Sequence, residues 1–289
     1  MPHVIDTSLL KRSLLFCRFA AAAYSEIDPR NTTGLGTGQL TCDTRLPLAA
    51  KDNPTDTQAL VCLWNDNGQN DIIVAFRGTE LHPPDLITDA KVRLVPSRII
   101  PGHMHRGFLE AMEFIYPHIR KLISELSRGS KRRMFVTGHS LGGALAMLFA
   151  SRFLNDNHHQ NVALEEVFTY GAPRVGDPDF VAAYRRSAAG NCTHQWVDKE
   201  DPVTRVAPAS LNYRHTIQRQ LYVDSEGWVR RMDIDATVEP NEGNDGAFDS
   251  VLTIFNTIRI AVKLDGSRHR LETSYLHQLQ LADGKPADG

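Results

Sequence analysis

The 289-residue sequence predicts an α/β fold with a mostly parallel central sheet and helices on both faces. Three observations support this expectation. Short apolar or β-branched segments alternate with segments whose apolar residues recur at helical spacing. The strand-like segment 134–137 leads through a glycine-rich turn into a helix-like segment. The hydrophobic share of 42% is ordinary for a globular chain, so a full core can form.

The first half of the chain predicts a helix, a long loop and a hairpin before a second helix. Residues 29–57 predict a surface loop because they are rich in Gly, Thr, Asn and Pro. Residues 65–70 carry the Asn, Asp and Gly of a hairpin turn, so the apolar segments on either side predict strands. In order, the elements are a helix at 7–25, the loop at 29–57, strands at 58–64, 71–76 and 91–96, and a helix at about 107–127.

The second half predicts alternating strands and helices that end in a helical pair. Residues 224–227 predict a turn inside a hairpin, and residues 233–249 predict a loop because they are acidic and rich in Gly. In order, the elements are a strand at 134–137, a helix over 144–150, a strand at 162–170, a helix from about 177, a strand at 192–197, a hairpin at 218–231, and helices at 251–262 and 271–281. Because the candidate chemical groups are spread along the chain, we expect a single domain over residues 1–289.

The N-terminal stretch 9–20 has some features of a secretory leader. Arg18 interrupts its apolar residues, however, and no small-residue cleavage site clearly follows. An amphipathic first helix is therefore the favoured interpretation. On this basis we expect a cytoplasmic protein, with secretion as the alternative.

Charge and composition exclude several classes of function. The net charge of −2 gives no broad attraction to nucleic acid or to an anionic membrane. No apolar run reaches the roughly 18 residues that a transmembrane helix needs. The four cysteines form no CxxC pair, and no nucleotide-binding glycine motif is present. We therefore expect no metal, no cofactor and no nucleic-acid partner.

The hexapeptide Gly138–Gly143 has the pattern of a nucleophile elbow, G-x-S-x-G, around Ser140. A strand-like segment precedes it and a helix-like segment follows it, which is the context that such an elbow requires. The turn is so sharp that a side chain at Gly138 or Gly142 would strike a neighbouring element. The pattern predicts an exposed serine in a strained backbone at the positive end of a helix.

A nucleophilic serine needs a carboxylate that orients its base, and three candidates follow the strand at 192–197. They are Asp198, Glu200 and Asp201. The expected order along the chain is serine, then acid, then histidine. Asp201 is favoured because it lies further from the strand, before Pro202, where a loop can turn inward. Asp198 and Glu200 are interpreted as solvated loop charges.

The base must be a histidine later in the chain, and His215, His269 and His277 are the candidates. His215 lies in a predicted strand close behind Asp201, and His277 lies inside the last helix. His269 is favoured because it precedes that helix in a loop, where a base can face the serine.

Two backbone N–H groups are candidates for an oxyanion hole. One belongs to Leu141, the residue after the nucleophile. The other lies in the loop after an earlier strand, where Gly78 allows close backbone approach and the Thr79 hydroxyl could add a donor.

Taken together, these segments resemble the class 3 triacylglycerol lipases, the fungal-lipase-like branch of the α/β-hydrolases. The matching segments are Phe76–Thr79, His105–Phe108, Gly138–Gly143, Tyr170–Asp177, Asp201–Val203, His269–Glu272 and Tyr275–Leu276. They extend over about residues 55–280 and follow the family's order, which makes the resemblance specific.

The resemblance implies a serine hydrolase that cleaves carboxylic esters of fatty acids, a substrate that it could meet at a lipid–water interface. By position, Ser140 would be the nucleophile, Asp201 the acid and His269 the base, with Thr79 and Leu141 in the oxyanion hole. The family's helical lid would extend over residues 80–90. Leu86 stands there in place of a frequent tryptophan, and this departure argues against strong interfacial activation.

Two other interpretations remain open at this point. A carboxylesterase, a phospholipase A1 or a feruloyl-type esterase would use the same triad with a different pocket. A non-catalytic relative that binds an ester or a protein belongs to another class, and the complete set of triad candidates argues against it.

Overall fold

The computed structural model describes residues 6–24, 39–46, 57–78, 93–156, 161–198, 201–205, 207, 209–217, 219–233 and 271–284. Its strands are β1 (Gln39–Leu46), β2 (Ala59–Asp66), β3 (Gln69–Phe76), β4 (Leu94–Pro96), β5 (His103–His105), β6 (Arg132–His139), β7 (Val162–Tyr170), β8 (Thr193–Asp198), β9 (Arg219–Val223) and β10 (Val229–Asp233). Its α-helices are α1 (Thr7–Ala22), α2 (Arg106–Leu126), α3 (Leu141–Leu154), α4 (Pro178–Arg186), α5 (Ala188–Asn191) and α6 (His277–Asp283). A π-helical turn, Leu271–Leu276, leads directly into α6.

The described strands form an eight-stranded sheet in the order β1-β2-β3-β6-β7-β8-β9-β10, and β4 and β5 form a separate pair. The four pairs from β3 to β9 are parallel, whereas the three outer pairs are antiparallel. The carboxyl ends of β3, β6, β7, β8 and β9 therefore meet at one edge, which we call the carboxyl edge. Ligands of open α/β sheets bind at this kind of edge.

The sheet is buried on both faces, as its alternating apolar side chains require. In β3, Ile72, Val74 and Phe76 join the apolar cluster beneath α2, α3 and α4, whereas Ile73 and Ala75 join the cluster beneath α1 and α6. A parallel sheet that is covered twice in this way is the predicted α/β-hydrolase arrangement, and the expected fold class is confirmed.

The stretch that has features of a leader forms helix α1, which packs on the sheet. Phe16 stacks between Phe135 of β6 and Phe168 of β7, at ring-centroid distances of 4.8 and 4.6 Å. Asp6 caps the helix by accepting a hydrogen bond from the backbone N–H of Ser8. The amphipathic first helix is thus confirmed. No helix within the described ranges is long and apolar enough to span a bilayer.

Several elements differ from the sequence prediction. Strand β5 and helix α5 were not predicted, and His215 lies outside any strand. Strand β1 lies inside the predicted loop 29–57, because an edge segment of ordinary β propensity becomes a strand once β2 offers it hydrogen bonds. The last predicted helix begins as a π turn before it continues as α6. The first residue of the predicted loop 233–249 ends strand β10. The rest of that loop, the predicted lid at 80–90 and the helix at 251–262 lie outside the described residues.

Candidate active site

Ser140 occupies the predicted turn between β6 and α3. Its backbone has φ 58° and ψ −130°, a conformation that residues with side chains rarely adopt. Its N–H donates to the carbonyl of Tyr170 at 2.9 Å, and its own carbonyl accepts from Gly143 N–H at 2.9 Å. The serine is thus held at the carboxyl edge by both its neighbouring strand and its helix.

Close backbone contacts explain the glycines on both sides of Ser140. A Cβ atom at Gly138 would lie 2.2 Å from the carbonyl oxygen of Gly142. A Cβ atom at Gly142 would lie 2.2 Å from the carbonyl oxygen of Phe76, at the end of β3. No side chain fits at either distance, so the elbow needs glycine at both positions.

The hydroxyl of Ser140 does not cap the helix that it precedes. Ser140 is the N-cap residue of α3, yet its side chain makes no capping hydrogen bond. Ser140 is therefore not a simple capping residue. The first N–H groups of a helix have no intrahelical acceptor, and Leu141 carries the first of them in α3. An anion formed beside Ser140 would meet these donors and the positive helix end.

The second expected oxyanion segment follows β3. Gly78 lies so close to the elbow that a Cβ atom there would be 3.1 Å from the Cβ atom of Ser140. It would also lie 2.7 Å from the carbonyl oxygen of His139. The loop after β3 therefore touches the serine, as the oxyanion prediction requires. Thr79, the next residue, lies outside the described residues.

Asp201 lies in the loop after β8, and its side chain is buried at the same edge. One carboxylate oxygen, Oδ1, accepts from the backbone N–H of Val203 at 2.8 Å, and Oδ2 accepts from the hydroxyl of Tyr275 at 2.7 Å. A Cβ atom at Gly171 would lie 2.6 Å from Oδ2. Gly171 follows Tyr170, and the carbonyl of Tyr170 accepts a hydrogen bond from Ser140 N–H. The carboxylate and the serine therefore lie against adjacent residues of the same backbone segment.

Tyr275 is a site residue whose role the sequence reasoning missed. Its hydroxyl donates to Asp201 Oδ2 and accepts from the backbone N–H of Asp198 at 3.0 Å. Burial, and next the negative charge of Asp201, raise the pKa of Tyr275 well above its ordinary value. The hydroxyl therefore keeps its proton, and with it the hydrogen bond to Asp201, throughout the neutral and mildly alkaline range. The sequence signal that could have identified this residue is that Tyr275 belongs to one of the segments that resemble the family.

Asp198 is not a solvated loop charge, so that prediction is wrong. Its side chain is buried, and Oδ2 accepts from Ser274 Oγ at 2.7 Å and from Gln278 Nε2 at 2.8 Å. The π turn and α6 bring these two donors to the end of β8. The sequence around Asp198 could not show this, because both donors come from about 80 residues further along the chain. Glu200 lies outside the described residues.

The candidate histidines have different surroundings. His269 lies outside the described residues. His215 is buried, its Nδ1 is 3.3 Å from Nε2 of Gln220, and its carbonyl accepts from Arg185 of α4. His277 is exposed at the start of α6. His269 remains the predicted base.

Two further side chains line the elbow without having been predicted. His139, directly before the serine, has its Nδ1 2.9 Å from the hydroxyl of Tyr24, and its ring packs edge-on to that of Tyr275 at 5.9 Å. The hydroxyl of Tyr24 also lies close to Gly78, because a Cβ atom added at Gly78 would be only 2.2 Å from it. Tyr24, the second residue after α1, therefore completes the wall of the elbow.

His105 has a structural role. It is the N-cap of α2, where its Nδ1 accepts from Phe108 N–H at 3.4 Å and its ring stacks on that of Phe108. Within the described ranges, no group of three or more His, Cys, Asp or Glu side chains is arranged to hold a metal ion.

Comparison with curated proteins identifies relatives that are named as lipases. A secreted mono- and diacylglycerol lipase 1 of Fusarium solani is 33% identical over 153 residues, which cover 52% of this chain and 44% of that protein. A secreted mono- and diacylglycerol lipase MDL2 of Malassezia globosa is 32% identical over 156 residues, covering 50% of this chain and 49% of that protein. The chain thus spans about half the length of these relatives.

The prediction of a cytoplasmic location is contradicted by these relatives, because both are named as secreted proteins. It depended on Arg18 and on the lack of a clear cleavage site. Those features show only that the first helix is amphipathic. A helix that packs on a sheet carries no information about the compartment in which the protein works.

Solved structures and a family model agree on the architecture. The crystal structure of a mono- and diacylglycerol lipase from Aspergillus oryzae matches with a TM-score of 0.63 at 22% identity, covering 85% of this chain and 94% of that one. At this identity the match shows the shared fold alone. The family model described as lipase (class 3) matches residues 73–211, which include the elbow and Asp201. Residues 73–211 therefore match the class 3 lipase family, and the described residues have the α/β-hydrolase fold.

Proposed function

We propose that this protein is a serine hydrolase that cleaves carboxylic esters of fatty acids, a triacylglycerol lipase. In this proposal Ser140 is the nucleophile, Asp201 is the acid and His269 is the base. The N–H groups of Thr79 and Leu141 form the oxyanion hole. Carboxylesterase and phospholipase A1 activity would need the same groups, so the acyl chain and the alcohol distinguish these possibilities.

One observation carries the proposal: Ser140 and the buried carboxylate of Asp201 lie together at the carboxyl edge. Ser140 has a strained backbone, and its hydroxyl makes no capping hydrogen bond to α3. A backbone with φ 58° costs about 1–3 kcal/mol at a residue with a side chain, and such strain collects at functional sites. Asp201 is buried with a donor on each carboxylate oxygen. A serine used only for packing or capping would need neither feature.

The proposed mechanism has two acyl-transfer steps. Ser140 Oγ attacks the ester carbonyl while His269 takes its proton, and the oxyanion accepts hydrogen bonds from Thr79 and Leu141. Collapse of this intermediate breaks the ester bond, and His269 returns the proton to the leaving alcohol. Water then attacks the acyl-enzyme with His269 as base, which releases the fatty acid and restores Ser140. Asp201 orients His269 and stabilises its charged form.

Three variants test this assignment with matched controls. Ser140→Ala and His269→Ala should each lower kcat on p-nitrophenyl esters by about 10⁵-fold or more, and Asp201→Asn by about 10⁴-fold, because triad members act as a unit. Ser151→Ala, at a buried serine of the same helix α3, and His277→Ala, at the exposed histidine of α6, should retain activity. Turnover by Ser140→Ala at the wild-type rate would disprove the site.

We also propose that the protein is secreted and acts on acylglycerols, on the basis of how its relatives are named. A series of mono-, di- and triacylglycerols and of phosphatidylcholine, with acyl chains from four to eighteen carbons, would define the substrate. Recovery of the activity from the culture medium of the producing cells tests secretion. Activity confined to the washed cells would contradict it.

A further inference from the structure

A cleft lies at the opposite end of α3 from Ser140, and the proposed function does not use it. Its volume is about 760 Å³, within the range of about 300–1,000 Å³ that small-molecule sites occupy. Helix α2, the last turn of α3 and the loop after β4 form its walls. Arg152, in that last turn, lies about 17 Å along the helix from Leu141. We call this space the arginine cleft, because Arg98, Arg120 and Arg152 line it.

Hydrogen bonds hold two walls of the cleft together. Asn155, directly after α3, donates from Nδ2 to the carbonyl of Ile99 at 3.1 Å and to that of Ser151 at 3.0 Å. In the loop after β4, Ser97 Oγ accepts from the backbone N–H groups of Ile99 and Ile100 at 3.2 Å each. The loop and the helix end are thus fixed before a ligand arrives, which lowers the entropic cost of binding.

Arg152 gives the cleft a positive charge. Its guanidinium lies over the ring of Tyr116, with 4.4 Å between Cζ and the ring centroid. Among the described residues, Arg152 forms neither a hydrogen bond nor an ion pair. Burial, and next a hydrogen bond to Asp156, raise the pKa of Tyr116 above its ordinary value, so the ring under the guanidinium stays uncharged. The charge of Arg152 is therefore available to a ligand.

The other charged side chains of the cleft form pairs. Arg98 Nη1 donates to Glu113 Oε1 at 3.1 Å, and Arg120 Nη1 lies 3.7 Å from Asp156 Oδ2. The same Asp156 oxygen accepts from the hydroxyl of Tyr116 at 2.7 Å. Three positive and two negative side chains leave the lining with one unit of positive charge. This charge matches a monoanion better than a phosphate group, which carries about −1.5 to −2 at pH 7.

The shape of the charged group and the apolar lining narrow the class of ligand. A guanidinium that stacks on a ring keeps its N–H edge free to bind both oxygens of a carboxylate. Ile99 and Pro117 line the cleft beside Tyr116, and they offer apolar surface to the rest of the ligand. The combination fits an amphiphile whose carboxylate meets Arg152 and whose hydrocarbon chain covers this apolar wall.

We propose that the arginine cleft is a second binding site, which takes a monoanionic carboxylate with a hydrocarbon chain, that is, a fatty acid. The site depends on Arg152 and on the fixed walls around it. It goes beyond the proposed function, because it does not require Ser140 to be a nucleophile. Ester hydrolysis, as proposed above, would supply such anions at the other end of α3.

Calorimetric titration of the Ser140→Ala protein with decanoate, below its critical micelle concentration, tests this site. The proposed active site could also accept decanoate, so the test is the difference between Ser140→Ala and Ser140→Ala/Arg152→Gln. We expect the second protein to bind decanoate at one site about 10–100-fold more weakly, because bonds between a guanidinium and a carboxylate are charge-assisted. Ser140→Ala/Arg152→Lys keeps the charge without the planar fork and should bind there about tenfold more weakly.

Two controls separate this site from general attraction to a cation or to a chain. Ser140→Ala/Lys121→Gln removes one positive charge from an exposed position of α2 outside the cleft, and it should bind decanoate as Ser140→Ala does. Decanamide has the same chain without the charge, and inorganic phosphate has charge without the chain. Each should bind the cleft at least about tenfold more weakly than decanoate. Thermal unfolding without ligand shows that each variant is folded, and Arg152→Lys decides if Arg152→Gln is not.

The second site is disproved if both Arg152 variants bind decanoate as Ser140→Ala does, or if Lys121→Gln causes the same loss. Equal binding of decanamide or of phosphate at the cleft would also overturn it. In a crystal of the decanoate complex, the carboxylate should lie about 2.7–2.9 Å from the Nη atoms of Arg152. If the wild type hydrolyses no ester, the proposed function fails, and the difference between the variants still decides the cleft.

Discussion

At the scale of single residues, Ser140 holds a backbone conformation that only glycine adopts without cost. The strain is maintained by the hydrogen bonds to Tyr170 and Gly143 and by the contacts that require Gly138 and Gly142. The local sequence is sufficient to predict this elbow, because the glycines that relieve the clashes are next to the serine in the chain.

Replacing Ser140 with glycine should relieve the strain and remove the nucleophile. We expect Ser140→Gly to be about 1 kcal/mol more stable than Ser140→Ala, since glycine alone reaches this φ without steric cost. Urea unfolding of both inactive variants measures the difference. Equal midpoints would show that the turn is relaxed and would weaken the case for a functional elbow.

Tyr275 links the candidate acid to the end of β8 through one hydroxyl group. Tyr275→Phe removes a hydrogen bond to a carboxylate and should lower kcat about tenfold with little change in KM, because such bonds contribute about 1.5–3 kcal/mol. Since burial and the charge of Asp201 raise the pKa of Tyr275 well above its ordinary value, the wild type should keep this advantage up to pH 9 or so.

Tyr184→Phe is the control for that experiment. The Tyr184 hydroxyl is equally buried, but it contacts Thr193 Oγ1 beneath α4 rather than the acid. We expect a loss of stability in both variants and a loss of kcat in Tyr275→Phe alone. Steady-state kinetics beside thermal unfolding distinguish the two effects, and an equal loss of kcat in both would contradict the role given to Tyr275.

At the scale of elements, helix α1 is attached to the sheet by stacked phenylalanines and by one partly buried carboxylate. Glu166 of β7 accepts from Arg12 Nε at 2.8 Å and from Arg12 Nη2 and His194 Nε2 at 3.0 Å each. Burial alone would raise the pKa of Glu166, but the hydrogen bonds and charges of His194 and Arg12 outweigh it and lower that pKa. The carboxylate therefore stabilises the attachment only while it is ionised.

The contribution of Glu166 to this attachment should be lost in acid. A carboxyl group whose pKa is lowered by folding stabilises the fold above its unfolded pKa of about 4.3 and loses that effect as the pH falls through the folded value. Glu166→Gln should therefore unfold at a lower temperature than wild type at pH 7, with the difference disappearing below about pH 4. Glu113→Gln, which removes the exposed pair with Arg98, should change little at either pH.

Sequence reasoning at this scale succeeds where the signal is local and fails where it comes from distant partners. The strands β6 and β7 and the helices α1 and α2 follow from apolar spacing alone. Strand β1 needs the edge of β2 before it forms, so its residues could not show it. The buried state of Asp198 depends on Ser274 and Gln278, whose side chains reach it only after the π turn has formed.

At the scale of the whole molecule, the candidate site is assembled from the ends of separate strands. Ser140 follows β6, Gly78 follows β3, Gly171 follows β7 and Asp201 follows β8, and the parallel order of these strands brings all four together. The family resemblance could predict the members of the site, but only the sheet explains how they converge. The assignments of Thr79 and His269 stay predictions.

A site built in this way should disappear when the sheet unfolds. If residues 1–289 form one domain, as the sequence predicts, unfolding in guanidinium chloride should give a single transition. Tryptophan fluorescence reports the unfolding of the buried Trp64 in β2 and Trp196 in β8, which lie on either side of β6. Its midpoint should agree with the midpoint at which a fluorophosphonate no longer labels Ser140. Two separated transitions would contradict a single cooperative domain.

The most direct test of the central claim is the crystal structure of the protein after reaction with a long-chain alkyl phosphonate. We expect phosphorus bonded to Ser140 Oγ, with Nε2 of His269 about 2.6–3.2 Å from that oxygen and Asp201 bound to Nδ1 of the same ring. The phosphoryl oxygen should accept from the N–H groups of Leu141 and Thr79. Phosphorus on another residue, or an imidazole other than His269 beside Ser140, would contradict the account.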